Sequence, residues 1–200
     1  MLTVAIATEF DDYDAEVSRV LLEQALARSV VRWQTSIRFN GDKSVKKLAP
    51  LYVRRALAEG VRHFLFTIDN DGGQRRRPQH APEHDEIAEA ADERDGCRWC
   101  WISRAAQVDS PAVRCIAVPV QTMETWLLVA RGEALSPSPE QCYHRPTLKK
   151  RFFGTPLPAT DVRTRLAVDV IRQPHALHAL RGLRSFQLFE AQLGIEGWRG

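Results

Sequence analysis

The chain has 200 residues, 44% hydrophobic and 26% charged, with a formal net charge of +3. That balance belongs to a soluble globular protein large enough to bury a core without staples, and it leaves no apolar run near the ~20 residues of a membrane-spanning helix. Four cysteines and the lack of a basic stretch before the first apolar run point away from a disulfide framework and a secretory signal, and toward a reducing, cytoplasmic setting.

Leu2 to Ala7 reads as a short buried strand, followed at once by Glu9 and the acidic run Asp11-Asp12-Tyr13-Asp14. Asp14 is placed to cap a helix running to about Val30, with Val17, Val20, Leu21 and Ala25 on one face. Alternation from Val31 to Phe39 predicts a second strand, and Asn40-Gly41-Asp42 a turn. Pro50 suits the first turn of a helix that stops at Gly60. Val61 to Ile68 is the third strand. The segment 74–82 has no periodicity and reads as an exposed loop. A helix is expected over 83–95, strands over 97–103 and 114–120, and a helix over 121–131. From Gly132 the texture changes: prolines recur and short helices are expected at about 147–153, 161–172 and 175–193. The chain thus divides into an α/β domain over 1–131 and a helical C-terminal extension over 132–200. Strand and helix alternate from the start, which predicts a Rossmann-like, mostly parallel sheet covered by helices.

Phe64-Leu65-Phe66-Thr67-Ile68-Asp69-Asn70-Asp71-Gly72-Gly73 carries the most chemistry. Side chains at i and i+2 of a strand point the same way, so Asp69 and Asp71 stand together at the strand's end, where α/β proteins place their sites. Paired acids repel unless a cation lies between them, and oxygen-only ligands suit Mg²⁺ or Mn²⁺. Glu9 sits just past the first strand, and in a parallel sheet it reaches the same edge. Three carboxylates around hard cations position a water and stabilise a phosphoryl transition state; a helix cap or a solvated turn is the plainer role for Asp-x-Asp.

Glu after strand one, a helix, a further strand and helix, then a hydrophobic strand ending Asp-x-Asp, resembles the Toprim domain of topoisomerases, primases and overcoming-lysogenization-defect nucleases. Val118-Pro119-Val120-Gln121-Thr122-Met123-Glu124-Thr125-Trp126-Leu127-Leu128-Val129-Ala130 resembles the Glu-x-Trp-Leu-Leu helix of a family of small Toprim-like proteins often encoded beside an ATPase, in settings of anti-phage defence. Arg145-Pro146-Thr147-Leu148-Lys149-Lys150 is similar to that family's proline-lysine segment. The resemblance spans about residues 2–153. It departs where Phe10-Asp11-Asp12 follows Glu9, since Toprim domains carry a glycine there, and where Ala130-Arg131 replaces a terminal Asp. It implies that Glu9 is a metal ligand or general acid/base, that Asp69 and Asp71 are metal ligands, and that Glu124 is a further acidic candidate. Glu124 otherwise reads as a first-turn acid favoured by the helix dipole, and Trp126 and Leu127 read as core.

Basic clusters lie at Arg75, Arg76 and Arg77, at Lys149, Lys150 and Arg151, and at Lys43, Lys46 and Lys47. Guanidinium and ammonium groups grip phosphates, so the first two clusters are candidate nucleic-acid contacts; each also reads as a solvated surface. Cys97 and Cys100 have zinc-knuckle spacing without a second pair, and His84 is a candidate proton shuttle. The expected activity is therefore a Mg²⁺-dependent Toprim-like nuclease acting on DNA or RNA, gated by an ATPase partner in anti-phage defence. The alternatives are a non-catalytic subunit that docks on such an ATPase, and a small nucleotide phosphotransferase or phosphohydrolase.

Overall fold

A computed structural model describes residues 1–9, 13–69, 113–117, 119, 122–133, 145–194 and 197–198. Among them run β1 (Leu2–Thr8), α1 (Tyr13–Leu26), β2 (Val30–Arg32), α2 (Asp42–Ala58), β3 (His63–Thr67), β4 (Val113–Ala117) and α3 (Met123–Ala130). The C-terminal helices are α4 (Arg145–Phe153), α5 (Thr160–Ile171), α6 (Ala176–Leu180) and α7 (Arg184–Leu193). The expected loop at 74–82, helix at 83–95 and strand at 97–103 lie outside the described residues. None of the described helices is long and apolar enough to cross a membrane.

The described strands form one sheet in the order β2-β1-β3-β4, with every pair parallel. The fold class expected from the alternation of elements is thus present: an α/β protein with a parallel sheet flanked by helices, consistent with a Rossmann-like fold. Parallel strands need crossovers, and the crossovers cover both faces. Accordingly β1 and β3 read as continuous apolar runs, with Val4, Ala5, Ile6, Phe64 and Leu65 all at zero exposure.

Strand alternation sorts these residues between two cores. Leu2, Val4 and Ile6 of β1, Leu65 of β3, and Cys115 and Ala117 of β4 pack with α1, α3 and the C-terminal helices. Ala5, Ala7, Phe64, Phe66 and Ile116 pack with Val45, Ala49, Tyr52, Val53 and Ala56 of α2. The first core includes Leu148, Phe152, Phe153, Ile171, Leu180, Phe186, Phe189 and Trp198. Residues beyond 132 therefore share one apolar interior with the sheet, and Trp126 ties the two parts together by donating from its indole N–H to Ser185 Oγ at 2.8 Å. Trp126 and Leu127 are core residues, each with zero exposure.

Four expected boundaries shift. The first helix ends at Leu26, and Val30 opens β2 instead of closing that helix. The alternation over 31–39 is real, but only Val30–Arg32 pairs with β1. Beyond it, the buried Trp33 and Phe39 rings meet Tyr52 of α2 edge-on, with centroids 5.2 Å apart in each case; the period-2 burial belongs to a segment lying on a helix. The second helix begins at Asp42, so Pro50 lies inside it. A proline there removes one intrahelical bond, which the apolar stripe of Val45, Ala49, Val53 and Ala56 outweighs. The expected helix over 175–193 is two helices, α6 and α7, because Leu183 takes an extended conformation (φ −96°, ψ 131°) between them.

Among the described strands β4 is at the edge, and a side chain covers it there. Ile116 N–H donates to Gln192 Oε1 at 2.9 Å, and Gln192 Nε2 donates to Ile116 O at 2.8 Å. The amide thus pairs with β4 as a neighbouring strand would. Gln192→Leu leaves both Ile116 groups buried and unpaired, which costs about 2–4 kcal/mol and lowers the melting temperature by about 5–10 °C. A thermal melt of the variant that superimposes on wild type would show that the edge is satisfied some other way.

Candidate functional site at the sheet edge

β1 and β3 are adjacent and in register, Ala7 opposite Phe66 and Thr8 opposite Thr67. Glu9 and Asp69 follow these paired ends, one and two residues on. Both are nearly buried, at 4% and 8% exposure. An ionised carboxylate at such low exposure needs compensating donors or charge.

Asp69 continues the series of Leu65 and Thr67, on the α1 and α3 side. Its Oδ1 accepts the backbone N–H of Met123 at 3.0 Å, the first amide of α3. A carboxylate is well matched to that position, because the opening amides of a helix lack intrahelical acceptors and carry partial positive charge. The cap residue itself, Thr122, makes no side-chain bond to the helix. The hydroxyls of Thr122 and Thr125 are buried and have no hydrogen-bond partner among the described residues.

Glu124 lies in the first turn of α3, 4% exposed. Its Oε1 accepts the Tyr13 hydroxyl, and Lys149 Nζ lies 3.9 Å from the same oxygen. Tyr13 opens α1 and is itself buried. Its ring meets Phe153 edge-on at 5.0 Å, and Lys149 and Arg163 stand over it at 5.5 and 5.7 Å. Burial, then the charges of Asp14 and Glu124, the hydrogen bond to Glu124 and the charge of Asp69 all push the Tyr13 pKa far above its ordinary value. The phenol is therefore a fixed donor, not a nucleophile. Nearby, Ser18 Oγ and Thr67 Oγ1 share a 2.8 Å hydrogen bond that fastens α1 to the end of β3.

Glu9 lies in a bend directly after β1. Its carbonyl accepts the N–H of Gly41 at 2.7 Å. Gly41 precedes α2 with φ +80°, a conformation that glycine adopts without the penalty of a Cβ. The α2 helix therefore begins at the same rim. Glu9, Asp69 and Glu124 thus lie beyond the same edge of the sheet. Asp71, Arg75, Arg76 and Arg77 lie outside the described residues, as do His84, Cys97 and Cys100. Lys149 joins the Glu124 cluster, and Lys150 is exposed. Sequence reasoning missed Tyr13, which meets Glu124 from 111 positions away; no local pattern carries that contact.

Among the described residues, no three His, Cys, Asp or Glu side chains form a group arranged to hold a metal ion. The chemistry of the donors nonetheless suits a hard cation, since Glu9, Asp69 and Glu124 offer oxygen alone. No protein-family model, curated protein or solved structure matches this chain.

Tyr13→Phe removes the donor to Glu124 and costs about 1–3 kcal/mol at neutral pH. The pH dependence has a definite sign. Since folding raises the Tyr13 pKa above its ordinary value of 10.0, its contribution is complete below about pH 10 and is lost as pH rises above it. Urea titrations from pH 8 to 11 will show a steeper alkaline loss of stability for wild type than for Tyr13→Phe; parallel curves would remove Tyr13 from the account.

Proposed function

We propose that this chain is a Toprim-like, Mg²⁺- or Mn²⁺-dependent nuclease that hydrolyses phosphodiester bonds in DNA or RNA, with Glu9, Asp69 and Asp71 as its metal-binding acids. The observation that supports this most is the in-register parallel pairing of β1 with β3, which leaves Glu9 and Asp69 at one rim, nearly buried. When bound there, a divalent ion supplies a water of lowered pKa and neutralises charge on the phosphoryl oxygens. Glu9 and Asp69 offer carboxylate oxygens at low exposure, Asp69 is oriented by the Met123 amide, and Lys149, half-buried beside Glu124, offers a cation to a phosphate. The role of an ATPase partner, and of anti-phage defence, rests on the family resemblance alone.

A second reading, a non-catalytic subunit that docks on such an ATPase, draws support from one observation. The Asp69 and Glu124 carboxylates already accept protein donors, the Met123 amide and the Tyr13 hydroxyl, as purely structural acids do.

The test is cleavage of plasmid DNA and of a labelled RNA with Mg²⁺ or Mn²⁺, compared with EDTA. Asp69→Asn is the informative variant, because an asparagine oxygen still caps α3 while the charge is gone. Wild type will cut at least one polymer, EDTA will abolish the cutting, and Asp69→Asn will fall by about 100-fold or more with an unchanged melting temperature. A wild type inert on both polymers, or an Asp69→Asn variant as active as wild type, overturns the reading.

A further inference from the structure

The charge of this chain is unevenly placed. Residues 30–62 hold eight lysines and arginines against two acids, a net +6 in a chain whose total is +3, so the remainder is net acidic. Most of this excess is carried by α2. Val45, Ala49, Tyr52, Val53 and Ala56 bury one face of that helix, and Lys47, Leu51, Arg54, Arg55 and Ala58 form the opposite, exposed stripe. Lys43 precedes Lys47 by one turn in sequence.

The cations of this stripe are not all equivalent. Arg55 is engaged with Glu59 at 3.3 Å and with Ser36 Oγ at 3.2 Å. Glu59 is the acid of the region with a described side chain, and it also accepts the Trp33 indole N–H at 2.7 Å, so its charge is already answered. Arg62 bonds the Leu57 carbonyl at 2.8 Å and so closes the C-terminal end of α2. Lys47 and Arg54, by contrast, are exposed and have no ion pair or hydrogen bond among the described residues. They are seven positions apart, which puts them on one line two turns apart, about 10.5 Å along the axis.

From this we infer that the outer face of α2 is a track for the phosphate backbone of a nucleic acid, with Lys47 and Arg54 as its phosphate contacts. A line of unpaired cations on a rigid helix suits a polyanion of regular charge spacing, about 3.4 Å per phosphate along one strand. The track also has a direction. Its N-terminal end adjoins Glu9, because Gly41, which opens α2, donates its N–H to the Glu9 carbonyl at 2.7 Å. A backbone laid along the stripe is led to the rim that carries Glu9 and Asp69. The link to cleavage rests on the nuclease reading; binding along α2 does not.

The measurement is fluorescence anisotropy of labelled single- and double-stranded oligonucleotides in EDTA, across a salt series, with the full chain. Wild type will bind with a salt-dependent affinity. The double variant Lys47→Glu with Arg54→Glu will bind about 10-fold or more weakly at low salt, and the slope of log affinity against log salt will shrink by about 1.5, for two lost phosphate contacts. The double variant Arg165→Glu with Arg172→Glu, at exposed sites on and directly after α5, makes the same change of charge elsewhere and will bind as wild type does. The melting temperature of each variant verifies folding. Undiminished binding by the α2 double variant overturns the track, and so does an equal loss in the Arg165/Arg172 double variant, or a wild type that binds no oligonucleotide. Cleavage separates the two claims: binding that depends on Lys47 and Arg54 without any cutting by wild type sinks the nuclease reading and keeps the track.

Discussion

The parallel pairing of β1 with β3 governs the rest of the molecule. Two parallel strands cannot be joined by a tight turn, so α1, β2 and α2 must lie between them in sequence and cover the sheet from both sides. Both strands then have apolar neighbours on each face, and the run of zero-exposure residues in each follows from that demand. The same pairing determines where the chain leaves the sheet. Thr8 and Thr67 are opposite one another, so the acids that follow them emerge at one rim, about a residue out of step.

The rim is stabilised by groups that also define its electrostatics. Asp69 both ends β3 and caps α3 through Met123, so its charge is held in place by a helix terminus. Glu124, one residue into that helix, is answered by the Tyr13 hydroxyl and by Lys149. These contacts draw α1, α3 and α4 together over the end of β3, and the Ser18–Thr67 hydroxyl pair adds a further tie. Structural and chemical roles are not exclusive here. A carboxylate oriented by an amide keeps lone pairs for a second partner, and fixed orientation is what a metal ligand requires.

How much of this was legible beforehand depends on the range of each interaction. The strands were, because double-sided burial writes a continuous apolar run into Leu2–Ala7 and Val61–Ile68. The position of Glu124 in the first turn of a helix was also legible, from the apolar pattern that follows it. Contacts across long sequence separations were not: Tyr13 to Glu124 and Gln192 to Ile116 leave no local pattern. The alternation over 31–39 misled because burial against Tyr52 of α2 has the same period as burial in a sheet. Pro50 misled because a proline that favours a first turn is also tolerated within a helix whose apolar face is strong enough. The resemblance to Toprim proteins rests on the order of elements and acids. The parallel sheet agrees with that order, and the Toprim identity itself remains the proposal.

We propose that Glu9 and Asp69, carried to one rim by neighbouring strands, share a divalent cation. Electron paramagnetic resonance of Mn²⁺ titrated into the protein tests this without any substrate. Wild type will show one saturable class of bound Mn²⁺, lost in both Glu9→Gln and Asp69→Asn while each stays folded. Equal Mn²⁺ binding in wild type and both variants, or none in wild type, would contradict it.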